Sequence, residues 1–183
     1  MTRTIWPPTL AWLAAVTAAL MLALAAPNES NLLGQLPTLT AKRLDQRHIV
    51  LPQGLAAERT LALVAFQPSQ YDEVRSWIRG LRLDQDPSIA WFKMPILNDP
   101  GSERARNDIE SVLLARHPAD SDRSRLVPVF TDRDAFIRAA GLPSAQHAWV
   151  LILDRDGKVL ARAEGRFDQD KAQALRETLL AQH

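Results

Sequence analysis

The run TLALVAF, residues 60–66, limits the possible folds more than any other stretch. It carries no charge and no polar–apolar alternation, the mark of a strand sheltered on both faces. Such a strand needs a packed layer above the sheet and another below it. A helix follows at once. Ser69 with Asp72 three residues on reads as a capping box, Asp standing in for the usual Glu. Tyr71, Val74, Trp77, Ile78 and Leu81 then recur at helical spacing and predict a stripe turned toward the core.

The remaining segments fit around that unit. LTAKRLDQRHIVL, 39–51, offers two short extended stretches about Asp45-Gln46, a small hairpin. SIAWFKMPIL, 88–97, predicts a second strand cut short by Pro95. Asp99-Pro100 is a fair N-cap with proline at the first helical position, and the stripe Ala105, Ile109, Val112, Leu113 makes 100–116 helical. HPADSDRSR, 117–125, reads as a polar loop. LVPVF, 126–130, is a third strand, near an edge because of Pro128. Thr131 with Asp134 opens a short helix that turns Phe136, Ile137 and Ala140 inward and ends at Gly141. AWVLILDRDGKVLARAEG, 148–165, is an antiparallel hairpin turning at Gly157, and Asp168 caps a last helix carrying Leu175 and Leu179. Helices alternate with strands early and an antiparallel pair closes the sheet. The order predicts an α/β protein, a three-layer α/β/α sandwich with a mixed central sheet and an N-terminal hairpin.

The N-terminus has a different character. One Arg, Arg3, precedes LAWLAAVTAALMLALAA, an uncharged run over residues 10–26. As a helix it spans roughly 26 Å, near the ~30 Å hydrocarbon thickness, with Trp6 and Trp12 available for the interface. The Ala23-Leu24-Ala25 pattern before Ala26 suits a signal peptidase, although Pro27 disfavours a cut after Ala26. Three readings stand: a signal anchor that keeps the N-terminus in the cytoplasm, a cleaved signal peptide, or a buried helix. The first two export the rest to the periplasm, tethered at the inner membrane in the first case and free in the second. Residues 1–26 are thus the leader, 27–38 a tether without periodicity, and 39–183 the globular domain.

Composition removes whole classes of chemistry. The 183 residues contain no cysteine, which excludes disulfides, thiol catalysis, thiolate metal sites and a lipoprotein anchor. With 22 Lys plus Arg against 21 Asp plus Glu, the net charge of +1 announces no nucleic-acid footprint. His48, His117, His147 and His183 share no ligand spacing, so no metal is expected. Asp154–Gly157 superficially resembles a calcium loop, but Gly165 stands where the closing Glu belongs, and a hairpin turn explains the acids. There is no G-x-S-x-G elbow and no glycine-rich phosphate loop, and no cofactor is expected.

The layout running from LTAKRLDQRHIVLPQGL through TLALVAF and LVPVFTDRDAFIRAAGL to AWVLILDRDGKVLARAEG resembles the thioredoxin-like superfamily. Within it, the chain is similar to peroxiredoxins and to membrane-anchored periplasmic thiol–disulfide oxidoreductases. LVAFQPSQYDEVRSWI with TDRDAFIRAAGLP looks most like bacterial relatives of the mitochondrial ATP synthase assembly-factor family, which lack a redox cysteine pair. The resemblance places the absent pair around Tyr71 and Val74, and the cis-proline that faces it near Ala148. A cis bond before a residue other than proline costs ~3 kcal/mol, so a trans bond is expected there. Disulfide exchange and peroxide reduction by the family mechanism are therefore ruled out.

A strand end facing a helix N-terminus still collects unpaired N–H groups and partial positive charge. Gln67, Ser69, Gln70 and Tyr71 at that junction, facing His147, Ala148 and Trp149, form the candidate binding face for a protein or peptide. The plainer readings are that Ser69 caps the helix, the glutamines are solvated surface, and Tyr71 and Trp149 simply pack. The expected function is a redox-inactive, non-enzymatic binding, chaperone-like or assembly factor for membrane or envelope proteins, touching the membrane through 10–26 if uncleaved. The alternatives are a non-thiol enzyme using His147 as acid and base, or a structural domain whose partner contact lies on the 100–125 excursion.

Overall fold

The computed structural model describes residues 33–181, so the leader and the tether up to residue 32 lie outside the described residues. The expected buried strand is β3, Arg59–Ala65. It pairs in parallel with β4, Trp91–Asn98, on one side (Leu61 opposite Trp91) and antiparallel with β6, Trp149–Asp154, on the other (Leu61 opposite Ile152). With β5, Val129–Thr131, and β7, Val159–Glu164, at the edges, the mixed sheet runs β5-β4-β3-β6-β7. The period of two in β3 divides the core. Leu61 and Leu63 meet Val74, Trp77 and Leu81 of α1, Tyr71–Leu81, and Ala172 and Leu175 of α5, Gln169–Leu180. Ala62 and Val64 point the other way, to Phe136 of α4, Arg133–Ala139, and to Leu39 and Leu51 of the hairpin formed by β1, Leu39–Lys42, and β2, His48–Leu51. Each buried Val, Leu or Phe side chain among them contributes roughly 1.5–3 kcal/mol by leaving water.

Several local expectations are corrected. The strand expected to stop at Pro95 continues to Asn98, because pairing flanks the proline: Ala65 of β3 lies opposite Pro95, and Ile96 already pairs with Val129 of β5. The second helix, α2, spans Glu103–Arg116 and is capped by Ser102, whose side chain accepts from Ala105 N at 3.3 Å. Asp99 instead accepts from Gly101 N at 3.0 Å and from Arg106 Nε at 3.1 Å. Nor does the α2 stripe enter the core: no α2 residue is buried, and Val112 is 51% exposed. The 117–125 segment holds a one-turn helix, α3, Asp120–Arg123, and a buried histidine, His117. Asp132 rather than Thr131 caps α4, accepting from Ala135 N at 3.0 Å. Asp168 caps α5 as expected, accepting from the amides of Asp170 and Lys171, both at 3.0 Å.

The described end of the tether is stitched to the body. Gln35 N donates to Ala139 O at 2.8 Å, Leu36 N to Gly157 O at 2.7 Å, and Leu36 is buried. Ordered structure thus begins ahead of residue 39. Among the described residues no helix is long and apolar enough to cross a membrane.

Candidate functional site

After β3 the chain turns through exposed Gln67, Pro68 and Ser69 before α1 begins. Gln70 differs from the surface glutamine expected. It is buried; its Oε1 accepts from Phe66 N at 2.7 Å and Gln67 N at 3.3 Å, and its Nε2 donates to Ala145 O at 2.7 Å. It therefore pins the junction to the loop before β6, and the expected Ser69–Asp72 capping box is corrected: Gln70 is the N-cap of α1, with no side-chain cap bond. Tyr71, expected in the core stripe, is 45% exposed, with the Arg75 guanidinium 5.0 Å from its ring centroid and the His117 ring 6.1 Å away.

Across the junction, Glu73 in the first turn of α1 reaches the start of β6. Its Oε2 accepts from Ala148 N at 2.7 Å and its Oε1 lies 3.0 Å from His147 Nδ1. The bond before Ala148 is trans. Trp149 is buried, with Nε1 donating to Ser144 O at 2.9 Å. Gln67, Ser69, Tyr71 and His147 thus offer side chains to solvent, whereas Gln70, Ala148 and Trp149 are buried in the fold.

A cleft not anticipated from sequence opens beside this junction. It holds about 360 Å³ at the C-terminal ends of the parallel strands β3 and β4, between the start of α1 and the end of α2. Ligand sites in open α/β sheets commonly lie beyond such strand ends. Because α2 buries no residue, it stands off the sheet and leaves this space. The walls are mainly apolar: Leu63, Val74, Pro95, Leu97, Leu113 and Leu126, with Tyr71 and Gln67 at the junction side.

Two buried polar side chains interrupt that lining, Lys93 at 5% exposure and His117 at 6%, and Arg116 adds an exposed cation. Lys93 sits in mid-strand, its backbone N donating to Arg125 O at 2.7 Å and its O accepting from Val127 N at 2.9 Å. Its Nζ pairs with one oxygen of Asp122, and His117 Nδ1 meets the other. Arg123 Nε donates to His117 O at 2.7 Å, fixing the loop that carries the histidine. Burial pushes the Asp122 carboxyl up, but hydrogen bonds and charge from Lys93 and His117 outweigh it and hold it below the ordinary 3.8. A buried lysine–aspartate–histidine cluster thus faces an apolar cleft. The sequence signal was Lys93 itself, a lone cation inside WFKMPIL; nothing in HPADSDRSR marked His117 and Asp122 as its partners.

The cluster is polar without being a metal centre or a nucleophile–base pair. Among the described residues no group of three or more His, Asp or Glu could hold a metal ion. Lys93 Nζ is engaged as a hydrogen-bond donor to Asp122.

No protein-family model and no curated protein matches the chain. Solved structures do match it. One is a protein from Aquifex aeolicus VF5 described as an electron transfer protein, with TM-score 0.57, 13% identity, and coverage of 82% of this chain and 98% of that one. Another is BsSco, a member of the Sco family of cytochrome c oxidase assembly proteins, with TM-score 0.51, 14% identity, and coverage of 79% and 91%. A third is the exposed lipoprotein thioredoxin Etrx1 from Streptococcus pneumoniae strain TIGR4, with TM-score 0.50, 12% identity, and coverage of 77% and 99%. The chain has the thioredoxin-like fold, without any cysteine. At these identities the likeness establishes the fold alone.

Proposed function

We propose that this protein is a redox-inactive binding factor, exported to the periplasmic side of the inner membrane, that works on membrane or envelope proteins in a chaperone-like or assembly role. One observation carries the reading. In a chain with no sulfur nucleophile, the position where thioredoxin-like enzymes do their chemistry borders an apolar cleft edged by exposed Gln67, Pro68 and Tyr71. A rigid strand–helix junction, pinned by Gln70, presents that surface with little conformational entropy to lose on binding. Assembly work is compatible with the fold, since BsSco belongs to a family of assembly proteins. The apolar run at 10–26 supports export and, if uncleaved, a membrane tether.

The acid–base alternative draws less support. His147 is exposed, and the Glu73 carboxylate beside it also ties down Ala148 N, an anchoring contact away from the cleft. The 100–125 excursion does contribute to the cleft, through Leu113, Arg116 and His117.

The test is site-specific photocrosslinking of the full chain in its own membranes. A photoreactive residue at Tyr71 is expected to trap a discrete protein, and the same group at Val50, exposed on β2, is not. Absence of any discrete adduct at 71, or the same adducts at both positions, would overturn the reading.

A further inference from the structure

A lysine in the middle of a buried strand calls for an explanation. Replacing a buried ion pair by apolar residues of similar volume is often neutral or stabilising, so the pair adds nothing that Met would not supply to packing. Lys93 is 5% exposed, lines the cleft, and has a single hydrogen-bond acceptor among the described residues, Asp122. An ammonium carries three donors. Two of them remain for something that enters the cleft.

We propose that the cleft binds a fatty-acid-type amphiphile, a hydrocarbon chain ending in a carboxylate. This goes beyond the partner-binding role above and does not depend on it. The head group follows from the charges that line the cleft: Lys93 and Arg116 are among its lining residues and no carboxylate is, while Asp122, outside the lining, is already shared between Lys93 and His117. An incoming carboxylate meets Lys93 inside and Arg116 at the mouth, and Asp122 holds the ammonium in place. The tail follows from the walls. Leu63, Val74, Leu97, Leu113 and Leu126 offer no hydrogen-bonding side chain, so a peptide backbone drawn between them would bury unpaired N–H and C=O groups. A hydrocarbon chain has none to satisfy. The 360 Å³ volume suits a small ligand, at the lower end of the range of roughly 300–1,000 Å³ for such sites.

The experiment labels the purified full chain with a diazirine derivative of decanoic acid and locates adducts by peptide mass spectrometry. Adducts are expected on peptides containing Leu63–Val74, Lys93–Leu97 and Leu113–Leu126. Excess octanoate should displace them; octanol and octylamine should not. Lys93→Met should weaken labelling by about tenfold or more while a thermal melt shows a folded protein, a loss of the size expected for a charged hydrogen bond. Leu113→Trp, which fills the cleft from α2, should abolish labelling without touching the charges. The competition series on the unmodified protein stands even if a variant fails to fold. Labelling outside the cleft, equal competition by octylamine, or stronger competition by a leucine-terminated peptide than by octanoate would each overturn the proposal. Labelling by the diazirine probe and protein crosslinks from position 71 are separate readouts, so either can fail without the other.

Discussion

Removing the two halves of the Lys93–Asp122 pair one at a time should give unequal results, and the inequality follows from their burial. Lys93 is 5% exposed, whereas the Asp122 side chain is 36% exposed and also contacts His117. Asp122→Ala therefore strands a buried ammonium. Losses of about 3–5 kcal/mol are typical for one-sided disruption of a buried pair, and the open cleft, which admits water to Lys93, puts the expected value near ~3 kcal/mol. At about 2–4 °C per kcal/mol for a chain of this size, the melting temperature should fall by roughly 6–12 °C. Lys93→Met strands a carboxylate that can still reach water and His117, while the Met side chain packs against Leu63 and Val74. Its cost should stay within about 1 kcal/mol. The double variant should return to within about 1 kcal/mol of the parent, which gives a coupling of ~2 kcal/mol or more. Urea and thermal melts of the four proteins complete the cycle. Equal losses for the two single variants, or additive losses in the double, would show that the pair is not the buried, asymmetric contact described.

Other expectations are separate. The depressed Asp122 carboxyl contributes stability that is full above the ordinary value of 3.8 and is lost as pH falls through its lower folded value; in acid melts Asp122→Asn should lose less on acidification through this window than the parent. Asp86 and Asp99, also held low by hydrogen bonds, respectively from Ser88 and from Arg106, retain their share of the acid sensitivity in both proteins. Gln70→Leu leaves the amide of Phe66 and the carbonyl of Ala145 unpaired and should cost about 3 kcal/mol in a urea melt, where a surface glutamine would cost almost nothing. Gly141→Ala places a methyl group 1.7 Å from Leu33 O at a φ of +66°, so limited proteolysis should cut ahead of β1 more readily in that variant. For the leader, alkaline extraction should leave an uncleaved chain in the membrane; a soluble form about 25 residues shorter would instead mark cleavage.

The central architecture was legible because its signals are local. TLALVAF needed no partner to read as a doubly buried strand, the turn at Gly157 fixed the closing hairpin, and Asp168 announced the last helix. The cap shifts to Ser102 and Asp132 are local, but three larger misreadings share a cause: a local rule was overridden by a neighbour distant in sequence. Pro95 breaks an isolated strand but not one already paired on both flanks. The α2 stripe has helical spacing, yet the sheet edge below it leaves a cleft rather than a surface to pack on. Gln70 looked like any solvated glutamine until the loop at Ala145, far along the chain, came within hydrogen-bonding distance. The cleft was the least legible of all. Lys93, His117 and Asp122 belong to a strand and a polar loop, and only the crossover through α2 brings them together.

The central claim is that a thioredoxin-like scaffold without cysteine uses the cleft beside its strand–helix junction for recognition. Quantitative co-purification from gently solubilised membranes tests it most directly, comparing the full chain with Leu113→Trp, which fills the cleft, and Leu180→Trp, a change at an exposed position of α5. Proteins enriched by the parent and by Leu180→Trp should fall away with folded Leu113→Trp. Recovery of the same set with Leu113→Trp would contradict the account.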